Sequence, residues 1–382
     1  MPAYAPLEPT FRDIRRIAVL RGGGLGDLLF AMPAISAFAA AYPDAELVLL
    51  GTPMHAELLS GRPGPVARVE VLPDAPGIRE AGGAASEPVD DFVARLRRHR
   101  FDLAVQLHGG GRNSNPFLLR LGARHTVGSA TEDAAPLERT LPYVYYQHEV
   151  VRGLEVAGLA GAAPVDLEPA IEVLDEERRS ADALLGPLDG PLVVVHPGAT
   201  DPRRRWPVER FAHVVGALLD DGAEVALVGD PSDRRIEAEL ASSLGASGGR
   251  LHRLAGRSGL GETAAVFERA AVVVANDSGP RHLAQAVGAA TVGIFWFGNV
   301  VNAAPFGRGR HRVHLSFTTR CPVCGTDVTQ VGWTADRCEH DVSFVDRVDA
   351  DAVLADARQI MARTSPRRGT PGAPAPRIRV AG

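Results

Sequence analysis

The apolar run Ala270-Ala271-Val272-Val273-Val274-Ala275 stops abruptly at Asn276-Asp277-Ser278-Gly279-Pro280. An unbroken apolar run of this length reads as a strand buried on both faces, as in parallel sheets. Small polar residues end it. Asp277 or Ser278 can cap a following helix, and proline suits that helix's first turn because its missing N–H is one of the groups left unbonded there. Free backbone N–H groups and the positive end of the helix dipole then face whatever lies above the strand. The result is an anion site at the carboxyl edge of a parallel sheet, where α/β proteins bind nucleotides. A second unit of similar design, Arg21-Gly22-Gly23-Gly24-Leu25-Gly26-Asp27, lies near the N-terminus.

The same alternation fills both halves of the chain. Periodicity predicts strands at 15–20, 46–50, 66–72, 102–107 and 124–128, with helices at 28–41, 89–98, 116–121 and 147–157. Pro164, Pro169, Pro187 and Pro191 mark residues 160–191 as a domain connection with a short helix inside it. A second strand series follows at 192–196, 224–229, 250–254, 271–275 and 291–295. The fold class is therefore α/β, with two doubly wound domains at 15–175 and 176–345. Residues 1–14 read as a loose leader, 346–363 as a closing helix, and the Pro-, Gly- and Arg-rich 364–382 as a disordered tail. No internal repeat is visible in the sequence.

With 382 residues, 45% of them hydrophobic, the chain can fill two cores. A net charge of −5 argues against a nucleic-acid partner. All 41 basic residues are arginine, which removes Schiff-base chemistry and a Walker-type lysine. Any cationic grip on phosphate must come from the bidentate guanidinium. There is no run of about 18 apolar residues, so no membrane insertion is expected. The segment Met1 to Arg16 has no apolar signal core, and three cysteines make no disulfide framework. A cytoplasmic enzyme is the expectation.

Each strand end carries a candidate. The turn before Asp27 fails the dinucleotide fingerprint, since its third glycine position is Asp27 and the second strand ends in Leu49-Leu50-Gly51 without an acidic ribose ligand. That leaves an oxidoreductase as a weak alternative. Asp27 is either a helix cap or a general base for an acceptor hydroxyl. His108-Gly109-Gly110-Gly111-Arg112-Asn113 is another glycine-rich strand end. His196-Pro197-Gly198-Ala199-Thr200 leads into Asp201-Pro202-Arg203-Arg204-Arg205-Trp206-Pro207. Three arginines in a row can be a solvated loop, but at a strand end before a proline-started helix they suit a diphosphate clamp. Asp230 or Asp233 either accepts from a ribose or caps a turn. His282, one turn into its helix, is either structural or a phosphate contact. Cys321-Pro322-Val323-Cys324 with Cys338-Glu339-His340 offers four soft ligands: a structural zinc, or reduced cysteines in a loop.

The ordered set resembles glycosyltransferase family 9, the heptosyltransferases. It comprises Gly26-Asp27 with Pro33-Ala34, His196-Pro197-Gly198-Ala199, Arg205-Trp206-Pro207, Val228-Gly229-Asp230, and Asn276-Asp277-Ser278-Gly279-Pro280-Arg281-His282-Leu283-Ala284, over roughly residues 15 to 360. Each motif alone is weak; their order and spacing are fairly specific. The resemblance implies a GT-B fold, in which two Rossmann-like domains face each other across a cleft and the closing helix packs back on the N-terminal domain. It implies inverting transfer of a heptose or related sugar from a nucleotide-diphosphate sugar such as ADP-heptose, with no metal and no other cofactor. By carry-over Asp27 is the catalytic base. The donor candidates are Thr200, Arg203, Arg205, Asp230, Asp277, Ser278, Gly279, Pro280 and His282. The acceptor candidates are Gly24, Gly26, His108 and Arg112. Arg205 stands where the family often has lysine. The acceptor partner is a glycan, a glycolipid such as lipopolysaccharide, or a small-molecule hydroxyl. A glycolipid would bring the protein to the inner face of the membrane as a peripheral visitor. Two other readings are a nucleotide-sugar epimerase or hydrolase, and a non-catalytic sugar-nucleotide binding protein.

Overall fold

The computed structural model of the protein describes residues 7–80, 87–245, 250–329 and 337–363. The strands are β1 (Arg16–Leu20), β2 (Glu46–Gly51), β3 (Arg68–Val71), β4 (Leu103–Gln106), β5 (His125–Ala130), β6 (Arg139–Pro142), β7 (Leu192–His196), β8 (Glu224–Leu227), β9 (Leu251–Arg253), β10 (Val272–Asn276), β11 (Thr291–Trp296) and β12 (His311–Ser316). The helices are α1 (Leu25–Ala41), α2 (Pro53–Leu59), α3 (Val89–Arg97), α4 (Ser114–Leu119), α5 (Glu149–Leu159), α6 (Asp175–Leu185), α7 (Val208–Asp220), α8 (Arg234–Ser243), α9 (Leu260–Arg269), α10 (Gly279–Ala286), α11 (Phe297–Ala303) and α12 (Ala350–Arg363).

The strands form two six-stranded sheets in the orders β3-β2-β1-β4-β5-β6 and β9-β8-β7-β10-β11-β12. Every pairing in both is parallel. The two halves thus repeat one doubly wound topology that the sequence does not display as a repeat. In each sheet the strand order reverses beside the first strand, and in an open parallel sheet that switch point is where ligands bind. The switch points lie between β1 and β4 and between β7 and β10. Four of the turns picked out by sequence leave these four strands, and the fifth, Gly229-Asp230-Pro231, leaves the neighbouring β8.

β1, β2, β4, β7, β8 and β10 are buried along nearly their whole length, which explains their unbroken apolar runs. One hydrophobic cluster runs from Ile17, Leu28 and Phe38 in the first domain to Leu283 and Ala284 in the second. The two domains share it where α1 packs on α10 and α2 on α9. Among the described residues no helix is long and apolar enough to cross a membrane.

Two expectations fail. Residues 7–14 are not a loose leader: Phe11 and Ile14 are buried in the first-domain core, and the Phe11 ring stacks on His125 with Arg139 over it. Residues 1–6 and the tail at 364–382 lie outside the described residues. The closing helix α12 does not return to the first domain. It packs on α7, β10 and β11 of the second, and buries Val353, Leu354, Ala357 and Ile360 in the cluster that holds Trp206 and Phe211. Its apolar stripe finds an open face there, so nothing drives it across.

Candidate active site

The first switch point is built around Asp27. Gly24 caps α1 in an extended conformation, and Asp27 in the first turn accepts the Gly24 N–H through Oδ2 at 2.8 Å. Arg21, at the end of β1, donates to Asp27 Oδ1 at 2.6 Å and to the Asp27 carbonyl at 2.9 Å, and also to the Leu107 carbonyl. Arg21 is 7% exposed and the Asp27 side chain 47%. A buried cation therefore fixes a carboxylate that still reaches solvent. Gly23 makes the turn possible: its φ is +88°, and a Cβ there would stand 2.4 Å from Asp27 Oδ2. His55, fully buried, supports the turn from below through its Nε2 and the Gly24 carbonyl at 3.1 Å. Burial, then the nearby Arg21 charge, keeps His55 below the usual histidine range.

His108 and Arg112 open on a cavity of about 420 Å³ beside this turn, lined also by Gly77, Thr131 and Asp133. A Cβ on Gly22 would touch His108 at 3.0 Å, so the cavity adjoins the turn that carries Asp27. His108 Nε2 meets the Gly77 carbonyl at 3.1 Å, and burial lowers its pKa. Arg112 is exposed and pairs with Asp133 at 3.4 Å.

The second switch point carries the Asn276–Pro280 turn. Asn276 is a staple: it accepts the Trp206 N–H at 3.1 Å and donates to the Pro197 carbonyl at 2.8 Å, which ties the arginine loop to the end of β10. Ser278 caps α10, and its hydroxyl meets His196 Nδ1 at 3.1 Å. His196 Nε2 faces Asp233 at 3.4 Å. Gly198 and Gly229 are needed because Asp233 fills the space where their Cβ would sit. Asp230 is exposed, and its Oδ1 accepts both the N–H and the hydroxyl of Ser232 at 2.6 Å.

Several donor candidates hold the site together instead of facing outward. Arg203 is buried and doubly bonded to Asp201, with Nη2 at 2.6 Å, and its guanidinium lies over Phe344. It is not a free clamp. Arg204 takes the forward position, 3.9 Å from Asp277 Oδ2, while Arg205 donates to the Ala199 carbonyl at 2.7 Å. Thr200 is exposed at the loop tip. Asp277 is 2% exposed and lies 3.2 Å from His282, 3.8 Å from Arg281 and 2.8 Å from the Asn299 amide. Burial pushes the Asp277 carboxyl up, but the His282 hydrogen bond and the Arg281 and Arg204 charges outweigh it and hold it at about 2. Burial and the Arg281 charge push His282 down to about 4, so it is neutral at pH 7.

The two switch points meet. A Cβ on Gly26 would contact His282 at 3.2 Å, and one on Gly279 would meet Leu25 at 2.9 Å. The Phe30 ring stands edge-on to His282 at 4.5 Å. The N-termini of α1 and α10 therefore adjoin, and the exposed carboxylate of one lies near the amide-rich end of the other. Sequence reasoning passed over Arg21's pairing, His55, Asn299 and Glu149, which is 3.7 Å from Arg21. Asn299 could have been found as a polar residue just after a predicted strand end. His55 could not, because its partner is 31 positions away.

The sequence profile of glycosyltransferase family 9 (heptosyltransferase) matches residues 89–323, more than half of the chain. The chain belongs to glycosyltransferase family 9. It is similar to lipopolysaccharide heptosyltransferase 1 of Pseudomonas aeruginosa, with 27% identity over 322 residues that cover 81% of this chain and 86% of that one. Its fold matches the E. coli ADP-heptose lipopolysaccharide heptosyltransferase II with a TM-score of 0.71 at 20% identity, over 92% of this chain and 99% of that chain. It also matches E. coli heptosyltransferase WaaC solved with ADP, at a TM-score of 0.62 and 19% identity, over 90% and 99%. The fold is GT-B, and the family-9 member is a heptosyltransferase-like glycosyltransferase.

Proposed function

We propose that this glycosyltransferase moves a heptose or related sugar from an ADP-activated donor to a glycan or glycolipid hydroxyl, with inversion and with no metal in the transfer step. The observation that carries the reading is the juxtaposition of the partly exposed Asp27 carboxylate with the N-terminus of α10. The structural relative named for ADP-heptose, and the ADP bound to WaaC, point to the donor nucleotide. Lipopolysaccharide is the acceptor the relatives' names suggest, with transient contact at the inner membrane face.

The donor diphosphate would lie over the Ser278 and Gly279 amides, between Arg204 and Arg205, with Thr200 beside it. Asp230 would reach the ribose. As the anomeric bond breaks, negative charge grows on the diphosphate, and the helix dipole with the two guanidiniums stabilises it. His282, neutral and fixed by Asp277, supports the turn without adding charge. Asp27 takes the acceptor hydroxyl proton during attack from the opposite face. Its two oxygens are aimed by Arg21 and Gly24, so little reorganisation is needed. The cavity at His108 and Arg112 would receive the acceptor.

The test pairs binding with turnover. Calorimetry should show ADP binding more tightly than GDP or UDP, with affinity falling at least about tenfold in Arg204→Ala or Arg205→Ala. Asp27→Asn should lower transfer from ADP-heptose by about 10²–10⁴-fold and leave ADP affinity unchanged. Full turnover in Asp27→Asn would remove it as the base.

A further inference from the structure

The loop after β12 carries a cluster that the transfer chemistry does not use. Ligand atoms of Cys321, Cys324, Cys338 and His340 all lie within 4.8 Å of one another. A tetrahedral zinc with bonds of about 2.3 Å to sulfur sets its ligands roughly 3.8 Å apart, so the cluster is already near that size. The turn between the first two cysteines is shaped for it. The Gly325 N–H bonds to the Cys321 carbonyl at 2.9 Å and the Cys321 N–H to the Thr326 carbonyl at 2.8 Å, while Gly325 takes a φ of +73°. This hairpin brings residues 321 and 324 to one side. His340 supplies an independent sign: its Nδ1 is buried and has no hydrogen-bond partner. A buried imidazole nitrogen left unpaired is costly unless something else coordinates it.

We propose that these four residues bind one structural zinc ion, and that the ion sets the position of the donor-side arginine loop. Three thiolates and one imidazole match a closed zinc site better than an oxygen-preferring cation. The four are protein ligands enough to fill a tetrahedron, so no position is left open for substrate. The segment also needs a clip. Among the described residues from 317 onward no helix or strand forms before α12, and Phe317 and Val323 are exposed. Val328, Phe344 and Val345 anchor it at two places, and a cross-link between those anchors would hold the irregular stretch in one shape.

The clip connects directly to the site. Just beyond His340, the Ser343 hydroxyl donates to the Arg205 carbonyl at 2.6 Å, and the Phe344 N–H donates to the Arg203 carbonyl at 2.7 Å. The Phe344 ring packs on Trp296 at 5.5 Å and under the Arg203 guanidinium. On the other side, the Tyr146 hydroxyl of the first domain donates to the Thr329 carbonyl. The zinc therefore fixes the two chain segments that grip the arginine loop and touch the facing domain. This role rests on the donor-site reading above, but the metal site does not.

The deciding measurement is the metal content of the full-length, tag-free protein purified without chelator, by plasma mass spectrometry. About one zinc per chain is expected, falling to trace levels in Cys324→Ser and in His340→Ala. Cys324 is exposed, so its replacement should leave the far-ultraviolet circular dichroism unchanged. ADP affinity should fall at least about fivefold in the same variant. Wild-type protein without metal, with iron in place of zinc, or with a disulfide among these cysteines would overturn the assignment. Zinc present and lost in Cys324→Ser while ADP affinity holds would overturn the coupling to the arginine loop. Zinc present in a chain that binds no nucleotide would uphold the site and count against the donor reading instead.

Discussion

At the scale of the residue, the strongest commitment is the buried Asp277–His282–Arg281 group. His282 titrates near 4 in the fold because burial and Arg281 disfavour its charged form, against about 6.5 when exposed. Between those values the unfolded chain binds more protons than the folded one, so stability is fully present above about pH 6.5 and drains away as the pH falls toward 4. His311, also held near 4, acts in the same direction. Asp277 extends the loss below pH 4, since its carboxyl is protonated only near 2 in the fold. His282 alone should account for on the order of 2–3 kcal/mol between pH 7 and pH 4. Urea unfolding of wild type and His282→Gln at the two pH values measures it. The variant should lose distinctly less stability on acidification, and equal losses would acquit His282. The motif around these residues was legible in the sequence, but its division of labour was not. Asp277 and Arg203 read as ligands because strand-end polar residues face the ligand side. Which of them turns inward depends on partners such as Asn299 and Asp201, and on whether those partners are already spoken for.

At the scale of the element, the legible parts were those buried on both faces. β1, β2, β7 and β10 announce themselves as apolar runs because helices cover both sides of each sheet. β6 and β12, both edge strands, were missed, although the opposite edges β3 and β9 were read from the sequence. Arg139–Pro142 alternates half-buried with exposed positions, His311–Ser316 is fully buried only at its two ends, and both carry Arg, His or Pro, which reads as loop. α2 and α11 are seven residues each, too short for a helical period to show. The turn into α1 yields the next prediction. Gly23→Ala places a methyl carbon 2.4 Å from Asp27 Oδ2 at a φ of +88°. The backbone strain costs about 1–2 kcal/mol, which a domain of this size survives. The carboxylate must still move away from the Gly24 N–H and Arg21. Transfer should fall by about 10²-fold or more with ADP binding intact, because the turn proposed to hold the donor sits in the other domain. Unchanged kcat in steady-state assays would show that the position of Asp27 is not critical.

At the scale of the whole molecule, the two domains are held as one body by more than the shared apolar cluster. Arg62 follows α2 in the first domain and is 4% exposed; Glu177 lies in α6 and is 14% exposed. The two form a doubly bonded pair, with one contact at 2.8 Å, and Arg62 also donates to the Glu172 carbonyl. Glu177 accepts the Leu174 N–H at 2.8 Å and lies so close to Gly261, in α9 of the second domain, that a side chain there would overlap its carboxylate. One buried ion pair thus joins the first domain to the helix pair that opens the second. Its net worth relative to an apolar contact is small, because desolvating both charges is costly. Breaking it from one side is another matter, since the remaining carboxylate has no cation to answer it. Arg62→Ala should therefore destabilise the protein by about 3–5 kcal/mol, whereas Arg62→Ala with Glu177→Gln should recover a good part of that loss. Calorimetric unfolding adds a second readout: if the pair couples the domains, the wild-type transition should be single and Arg62→Ala should broaden or split it. A loss under about 1 kcal/mol with an unchanged transition would assign the coupling to the α1–α10 contact alone.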